Sequence, residues 1–118
     1  MRFLELPDDP DAAFRVRAAA DRTELTRLAQ SLHGRNTISR DDDVLATLEE
    51  LAHGLAGTGG VFGFPGVSTA AEKLERLAER QMRAKAAPLT PQQVTRLASS
   101  AAALIEQLNR VPPPKDTA

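Results

Sequence analysis

The sequence predicts an all-α protein that folds as an antiparallel up-down four-helix bundle. Alanine and leucine dominate its apolar residues while valine, isoleucine and aromatic residues are sparse, which favours helices over strands. Four segments carry apolar residues at helical spacing, and short stretches rich in Gly, Pro, Asp or Ser separate them. Short connections place consecutive helices side by side and antiparallel. We expect one domain over residues 1–110 and a disordered proline-rich tail over residues 111–118.

The first predicted helix runs from about Asp11 to Leu32, and Gly34 follows as a residue able to take a left-handed cap. Asp21 interrupts the edge of its apolar stripe, which allows a bend or a break near Asp21-Arg22-Thr23. The residues expected to face the core are Phe14, Ala18, Leu25, Leu28, Ala29 and Leu32.

The second predicted helix begins after Ser39, which has Asp42 three residues on and resembles an N-terminal cap. It is expected to continue to Phe64, because the residue before Pro65 is pushed out of the helical region. Its predicted apolar stripe consists of Val44, Leu48, Leu51, Ala52, Leu55, Gly59 and Phe62.

The last two predicted helices have recognisable starts. The third begins near Val67, with Thr69 and Glu72 spaced as a capping box. The fourth begins after Thr90, with a proline at its first position and Gln93 three residues after the cap. Their core residues are predicted to be Val67, Ala70, Ala71, Leu74, Leu77, Ala78 and Met82, and then Val94, Leu97, Ala98, Ala101, Leu104, Ile105 and Leu108.

Composition excludes several classes of function. The net charge of −1 lacks the positive excess of a general nucleic-acid binder or a membrane-surface protein. The absence of Cys excludes disulfide scaffolds, thiol catalysis and Cys-ligated metal sites. No apolar run approaches the roughly 18 residues of a membrane span, and the N-terminus has no signal-peptide pattern. We therefore expect a cytoplasmic protein that binds neither nucleic acid nor membrane.

The unusual part of the sequence is the outer face of the second helix around His53. On a helical projection His53 lies about 160° from the core stripe, so its imidazole is expected in solvent. A glycine inside a helix costs about 1 kcal/mol relative to alanine, yet this stretch holds several. Such a bare face lets the backbone of another protein approach the imidazole. The neighbours on this face, the predicted docking surface, are Ala46, Glu49, Ala56, Gly57 and Gly60.

Other interpretations of this stretch are a loop, a nucleotide-binding motif and a metal site. Residues 57–63 could form a loop that leaves His53 near a helix end. A P-loop or a dinucleotide fingerprint is excluded, because no strand precedes the glycines and the Lys-Ser/Thr pair is missing. A metal site shared by His33 and His53 has no supporting carboxylate spacing, and His33 is interpreted as an incidental residue at a helix end.

The residues from His53 onward resemble histidine phosphotransfer (HPt) domains. Members of that family carry His, then Leu two residues on, Gly four residues on, and an apolar-Gly-apolar segment before the next helix. The matching residues here are His53, Leu55, Gly57 and Phe62-Gly63-Phe64. The motifs cover about residues 43–77, and the bundle extends the resemblance over most of the chain. Ala56 departs from the pattern, because many members have Lys at that position.

The resemblance implies a free-standing phosphorelay carrier rather than an enzyme. His53 would accept a phosphoryl group from a receiver-domain aspartate and pass it to another receiver domain. The implied partners are response-regulator receiver domains and a hybrid sensor histidine kinase, and the receiver would supply Mg²⁺ and a Lys. The chain itself is expected to be a monomer without a cofactor. An imidazole with a pKa of about 6.5 is mostly neutral at pH 7, which suits it to act as the nucleophile.

Two questions stay open at this point. Lys73 or Arg76 of the third helix could balance the phosphoryl charge in place of the missing Lys, although a solvated, salt-bridged helix surface is the favoured interpretation of these residues. The alternative function is a helical docking module that binds and sequesters receiver domains without being phosphorylated. The exposed His53 argues against that alternative, because docking alone needs no imidazole.

Overall fold

The computed structural model describes residues 10–35, 37–39, 42–84 and 88–114. These residues form four α-helices: α1 (Pro10–Leu32), α2 (Asp43–Thr58), α3 (Pro65–Arg83) and α4 (Pro91–Leu108). Each helix packs against two others, in the ring α1–α2–α3–α4–α1. The predicted all-α four-helix bundle is confirmed.

Contacts between helix ends give the direction of the helices. Near the start of α1, the ring of Phe14 stacks on Phe62 and Phe64, which follow the end of α2, with centroid separations of 5.0 and 5.7 Å. Gly66 at the start of α3 lies against Gln107 at the end of α4. Within each of these pairs, one helix therefore starts where the other ends, which is the antiparallel arrangement.

The two connections at the other end of the bundle are tied to each other. The backbone N–H of Leu89 donates to the carbonyl of Ile38 at 2.9 Å, and the Thr37 hydroxyl donates to the carbonyl of Leu89 at 2.6 Å. Ile38 and Leu89 are both buried. The α1–α2 and α3–α4 connections thus close one end of the core with apolar side chains that helical periodicity did not identify.

The core of the described residues is apolar throughout, with no buried polar or charged residue. The predicted stripes of all four helices either lie in this core or pack partly buried against it, Gly59 and Phe62 doing so from beyond the end of α2. Four further buried residues were not predicted: Ile38, Leu45, Leu89 and Val111.

The predicted end of α2 at Phe64 is wrong, because the helix ends at Thr58. The chain turns through residues 59–63, with Gly63 at φ +89°, and the N–H of Phe64 donates to the carbonyl of Gly59 at 2.8 Å. Gly59 is required here, since a Cβ on it would lie 2.8 Å from the Ser68 backbone nitrogen. The loop interpretation is therefore right for residues 59–63, and only Gly54 and Gly57 lie inside the helix.

The predicted starts of α2 and α3 also need correction. Asp42, not Ser39, caps α2, and its carboxylate accepts from the Val44 backbone N–H at 2.9 Å. α3 begins at Pro65, so the predicted capping box at Thr69 lies inside the helix. Proline suits the first helical position, because it has no backbone N–H and the N–H groups of the first turn have no partner within the helix. Pro65 therefore allows α3 to start earlier than predicted.

The predicted start of α4 is confirmed in detail. The Gln93 backbone N–H donates to the Thr90 hydroxyl at 3.2 Å, and the Gln93 side-chain oxygen accepts from the Thr90 backbone N–H at 2.9 Å. At the other end, Val111 is buried and its N–H donates to the carbonyl of Leu108 at 3.1 Å. The core therefore includes the first residue assigned to the tail, while residues 115–118 lie outside the described part of the chain.

α1 is continuous through Asp21, so the helix has no break there. Arg17, one turn earlier, places its Nε 3.3 Å from the Asp21 carboxylate. Burial raises the pKa of the Asp21 carboxyl, and the hydrogen bond and charge of Arg17 oppose that rise.

In the part of the chain that the structure describes, no helix is long and apolar enough to cross a membrane.

Candidate functional site

His53 stands on the outer face of α2 with its side chain 74% exposed. Its Nδ1 lies 2.6 Å from Oε2 of Glu75 on α3. A carboxylate only accepts hydrogen bonds, so Nδ1 carries the proton in this contact. The neutral ring then has its lone pair on Nε2, the nitrogen that Glu75 does not hold.

The short turn between α2 and α3 sets the register that brings His53 to Glu75. The Ser68 hydroxyl of α3 donates to the carbonyl of Ala56 in α2 at 2.6 Å. Gly59 allows the backbone of α3 to approach closely at the same end. These contacts fix the two helices next to each other within about two turns of His53 along α2.

Carboxylates dominate the electrostatic surroundings of His53. The hydrogen bond to Glu75 raises the pKa of the imidazole above its ordinary value, and the charge of Glu75 adds to the rise. The charges of Glu49 and Glu79 raise this pKa further, while desolvation opposes the change. The ring is therefore more basic than a free imidazole.

The predicted docking surface divides into two parts. Ala46, Gly57 and Gly60 are exposed beside His53, whereas Glu49 and Ala56 are half-buried. A Cβ added to Gly57 or to Gly60 would meet no atom within 4 Å. The fold therefore does not require glycine at these two positions. Because glycine has no side chain, the surface beside the imidazole stays open to the backbone of another protein.

A cation from α1 lies beside the same face. The Arg17 guanidinium sits directly over Gly54, the residue after His53, and a Cβ at Gly54 would overlap its Nη2 atom. The Asp21 carboxylate accepts from Nε of the same guanidinium at 3.3 Å. Sequence reasoning missed Arg17, because only the packing of α1 against α2 brings the two positions together.

Lys73 and Arg76 are not brought to His53. Both line a groove between α3 and α4, together with Arg80. Positions 73 and 75 differ by about 200° around a helix, so Lys73 points away from the side on which Glu75 meets the imidazole. The proposed role of Lys73 or Arg76 in balancing a phosphoryl charge stays a prediction, and this placement does not favour it.

A family model described as the Hpt domain matches residues 11–111. The match covers most of the chain. The chain belongs to the Hpt domain family. Hpt domains carry phosphoryl groups on histidine in phosphorelays, so this is the general function of the chain. A search of curated proteins and a search of solved structures gave no match.

One further property of the Hpt site concerns metal ions. Glu49, His53 and Glu75 each offer a ligand atom, and these atoms lie within 4.8 Å of one another. Exposed acidic groups commonly lie this close without an ion. The expectation that the chain needs no cofactor of its own stays a prediction.

Sequence reasoning did not identify Glu75 as the partner of His53. Its side chain is 18% exposed, because it leans across to α2. The usable signal was the length of the α2–α3 turn, which fixes the register of Glu75 against His53, and the error in the end of α2 concealed it.

Proposed function

We propose that this Hpt domain accepts a phosphoryl group on Nε2 of His53 from an aspartyl phosphate in a receiver domain, and passes it to the aspartate of a second receiver. The observation that carries the proposal is the pairing of an exposed imidazole with Glu75 through Nδ1. This pairing fixes the tautomer and leaves the Nε2 lone pair free toward solvent.

The transfer step follows from this geometry. The Nε2 lone pair attacks phosphorus, the bond between phosphorus and the aspartate oxygen breaks, and the aspartate leaves as a carboxylate. The ring becomes positively charged while Nδ1 keeps its proton. Glu75 stabilises that charge through its hydrogen bond from Nδ1. Attack by a second receiver aspartate reverses the sequence and returns the neutral ring.

The surface around His53 suits a receiver domain as the partner. The exposed Ala46, Gly57 and Gly60 allow the partner's backbone to approach the imidazole closely. Val61, next to Gly60, is 77% exposed and offers an apolar contact at the edge of the same region. Mg²⁺ and the catalytic Lys come from the receiver in this proposal, and the Hpt domain contributes the nucleophile and the docking face.

Charge balance is the feature in which this Hpt domain is unusual. A phosphoryl group adds up to about two negative charges near neutral pH, beside Glu49, Glu75 and Glu79. Ala56 stands where many members of the family have Lys. Arg17 is placed over the residue that follows His53, so we assign it the role of the nearby cation in preference to Lys73 or Arg76.

The proposal is tested by incubating the protein with a receiver domain phosphorylated by acetyl phosphate. The phosphoryl group should move to the wild-type protein, and its bond to the protein should be labile to acid, as that of phosphohistidine is. A receiver that binds the protein tightly while no label moves would instead support the docking module without phosphorylation. Several unrelated receiver domains should be assayed, so that failure with one noncognate partner is not decisive.

A further inference from the structure

A groove runs between α3 and α4, on a different side of α3 from His53. Its volume is about 1020 Å³, and it is lined by residues within 66–80 of α3 and 95–107 of α4. At 1.5 Å per residue these segments extend for about 21 and about 18 Å. Four of the lining residues are cations, namely Lys73, Arg76, Arg80 and Arg96, and none of the described lining residues is acidic.

These four cations have no protein partner in the described part of the chain. No ion pair or side-chain hydrogen bond joins any of them to another described residue. Three arginines outside the groove do have such a partner, since Arg17, Arg27 and Arg35 each lie within 3.5 Å of a carboxylate oxygen. Among the described residues, no carboxylate therefore pairs with the positive charge of the groove, although the protein carries a net charge of −1.

Helix dipoles do not explain this clustering. Arg80 lies in the last turn of α3, where a cation complements the dipole. Lys73 lies in the middle of α3, and Arg96 lies in the second turn of α4, near the end that favours anions. An acidic ligand in the groove would supply the missing partner for all four side chains.

The shape of the groove distinguishes an elongated ligand from a compact one. The cations occupy the half toward the end of α3, and small or uncharged residues such as Gly66, Ala70 and Ala103 line the other half. A compact polyanion would fill only the basic half. A third helix laid between two antiparallel helices would contact the whole length, with its carboxylates on the basic half.

We propose that the α3–α4 groove binds an acidic amphipathic helix of a partner protein, through a surface separate from the His53 face. Such a site would let this Hpt domain hold one partner while His53 engages a receiver. Binding here does not depend on phosphoryl transfer, so the two proposals can fail separately.

The test uses the full chain, labelled with ¹⁵N, and a helical peptide of about 18 residues made of Ala, Leu and Glu. A matched peptide with Gln in place of Glu is the control. We expect the acidic peptide to shift the amide resonances of Ala70, Ser99 and Ala103. Its affinity should fall at least about tenfold between about 0.05 and about 0.3 M salt, because the pairs are exposed. The Gln peptide should bind at least about tenfold more weakly.

Charge reversal locates the site. The double variant Arg76→Glu/Arg96→Glu should lower the affinity for the acidic peptide at least about tenfold, while Arg110→Glu, the same change outside the groove, should not. His53→Gln should leave the affinity unchanged, and circular dichroism checks that each variant is folded. The proposal would be overturned if both peptides bound equally or if the resonance shifts were confined to other faces. It would also be overturned if ATP, tested as a compact polyanion, bound more tightly than the acidic peptide.

Discussion

Nδ1 of His53 and Oε2 of Glu75 lie 2.6 Å apart and join the exposed ring on α2 to a carboxylate on α3. The contact does two things to the imidazole. It selects the tautomer with the lone pair on Nε2, and it raises the pKa of the ring. The first effect favours attack on phosphorus, whereas the second reduces the fraction of neutral ring at a given pH.

Glu75→Gln separates these two effects, because the amide oxygen still accepts from Nδ1 but carries no charge. We expect the pKa of His53 to fall toward the ordinary value of about 6.5. An NMR titration of the ring protons measures the change. Glu50→Gln is the control, since Glu50 is not among the groups that raise this pKa. An identical His53 titration in wild type and Glu75→Gln would show that Glu75 does not set the basicity of the ring.

The transfer rate should depend on pH through the same group. Only the neutral ring is nucleophilic, so the rate into the wild type should rise as pH increases through the raised pKa of His53. The profile of Glu75→Gln should be displaced to lower pH. Rates are measured in rapid-quench experiments with one phosphorylated receiver, and receiver autodephosphorylation is measured separately at each pH. Coincident profiles for the two proteins would contradict the assignment.

Stability should change with pH in the opposite sense. A raised His pKa stabilises the folded protein below the unfolded pKa of about 6.5, and this contribution is lost as pH rises through the folded pKa. The melting temperature of Glu75→Gln should therefore lie below that of wild type at pH 5, with the difference shrinking above the folded pKa. A difference independent of pH would point to lost packing instead.

Two glycines should respond in opposite ways to substitution. Gly57→Leu adds a side chain where no atom lies within 4 Å, so stability should stay equal or rise by up to about 1 kcal/mol. Transfer should slow about tenfold or more, because the leucine occupies the docking surface. Gly59→Ala should lower stability by about 1–3 kcal/mol, since its Cβ would crowd the Ser68 backbone. Urea denaturation and transfer kinetics measure both variants, and unchanged transfer by Gly57→Leu would remove Gly57 from the docking surface.

Arg17→Gln tests the proposal that Arg17 of α1 is the cation that balances the phosphoryl charge on His53. The phosphohistidine lifetime should shorten about two- to fivefold at low salt, the effect of losing one exposed charge pair, and the difference should shrink at high salt. Gly54→Ala keeps the cation but displaces it, so it should change the lifetime in the same direction. Arg27→Gln, farther along α1, is the control, and Lys73→Ala and Arg76→Ala test the earlier assignment. A shorter lifetime in Lys73→Ala or Arg76→Ala, with none in Arg17→Gln, would reverse it.

Helical periodicity was enough to predict the four helices and most of the core, because each helix buries one continuous stripe. Apart from Leu45, a buried residue inside α2 that the predicted stripe left out, it failed where the chain leaves the helix. Leu89 is buried through a backbone pairing between two connections, and such a pairing has no period along the sequence. The end of α2 was misplaced because Gly59 and Phe62 continue the helical spacing, although close packing against α3 requires a turn there.

The candidate site was predictable to the extent that it lies on one helix. The exposure of His53 and of Gly57 follows from positions on α2 alone. Glu75 and Arg17 belong to α3 and α1, and their distances from α2 depend on register and packing. The role of Gly54 could not be predicted from the sequence. A glycine that makes room for a guanidinium of the same chain cannot be distinguished there from one that makes room for a partner protein.

The most direct test of the central claim is the identity of the phosphorylated residue. Transfer from a phosphorylated receiver should label the wild type and His33→Ala to the same extent, and should leave His53→Gln unlabelled. Mass spectrometry under neutral conditions should place the phosphoryl group on the peptide that contains His53. Label persisting in His53→Gln, or lost in His33→Ala, would contradict the assignment of His53 as the phosphoacceptor.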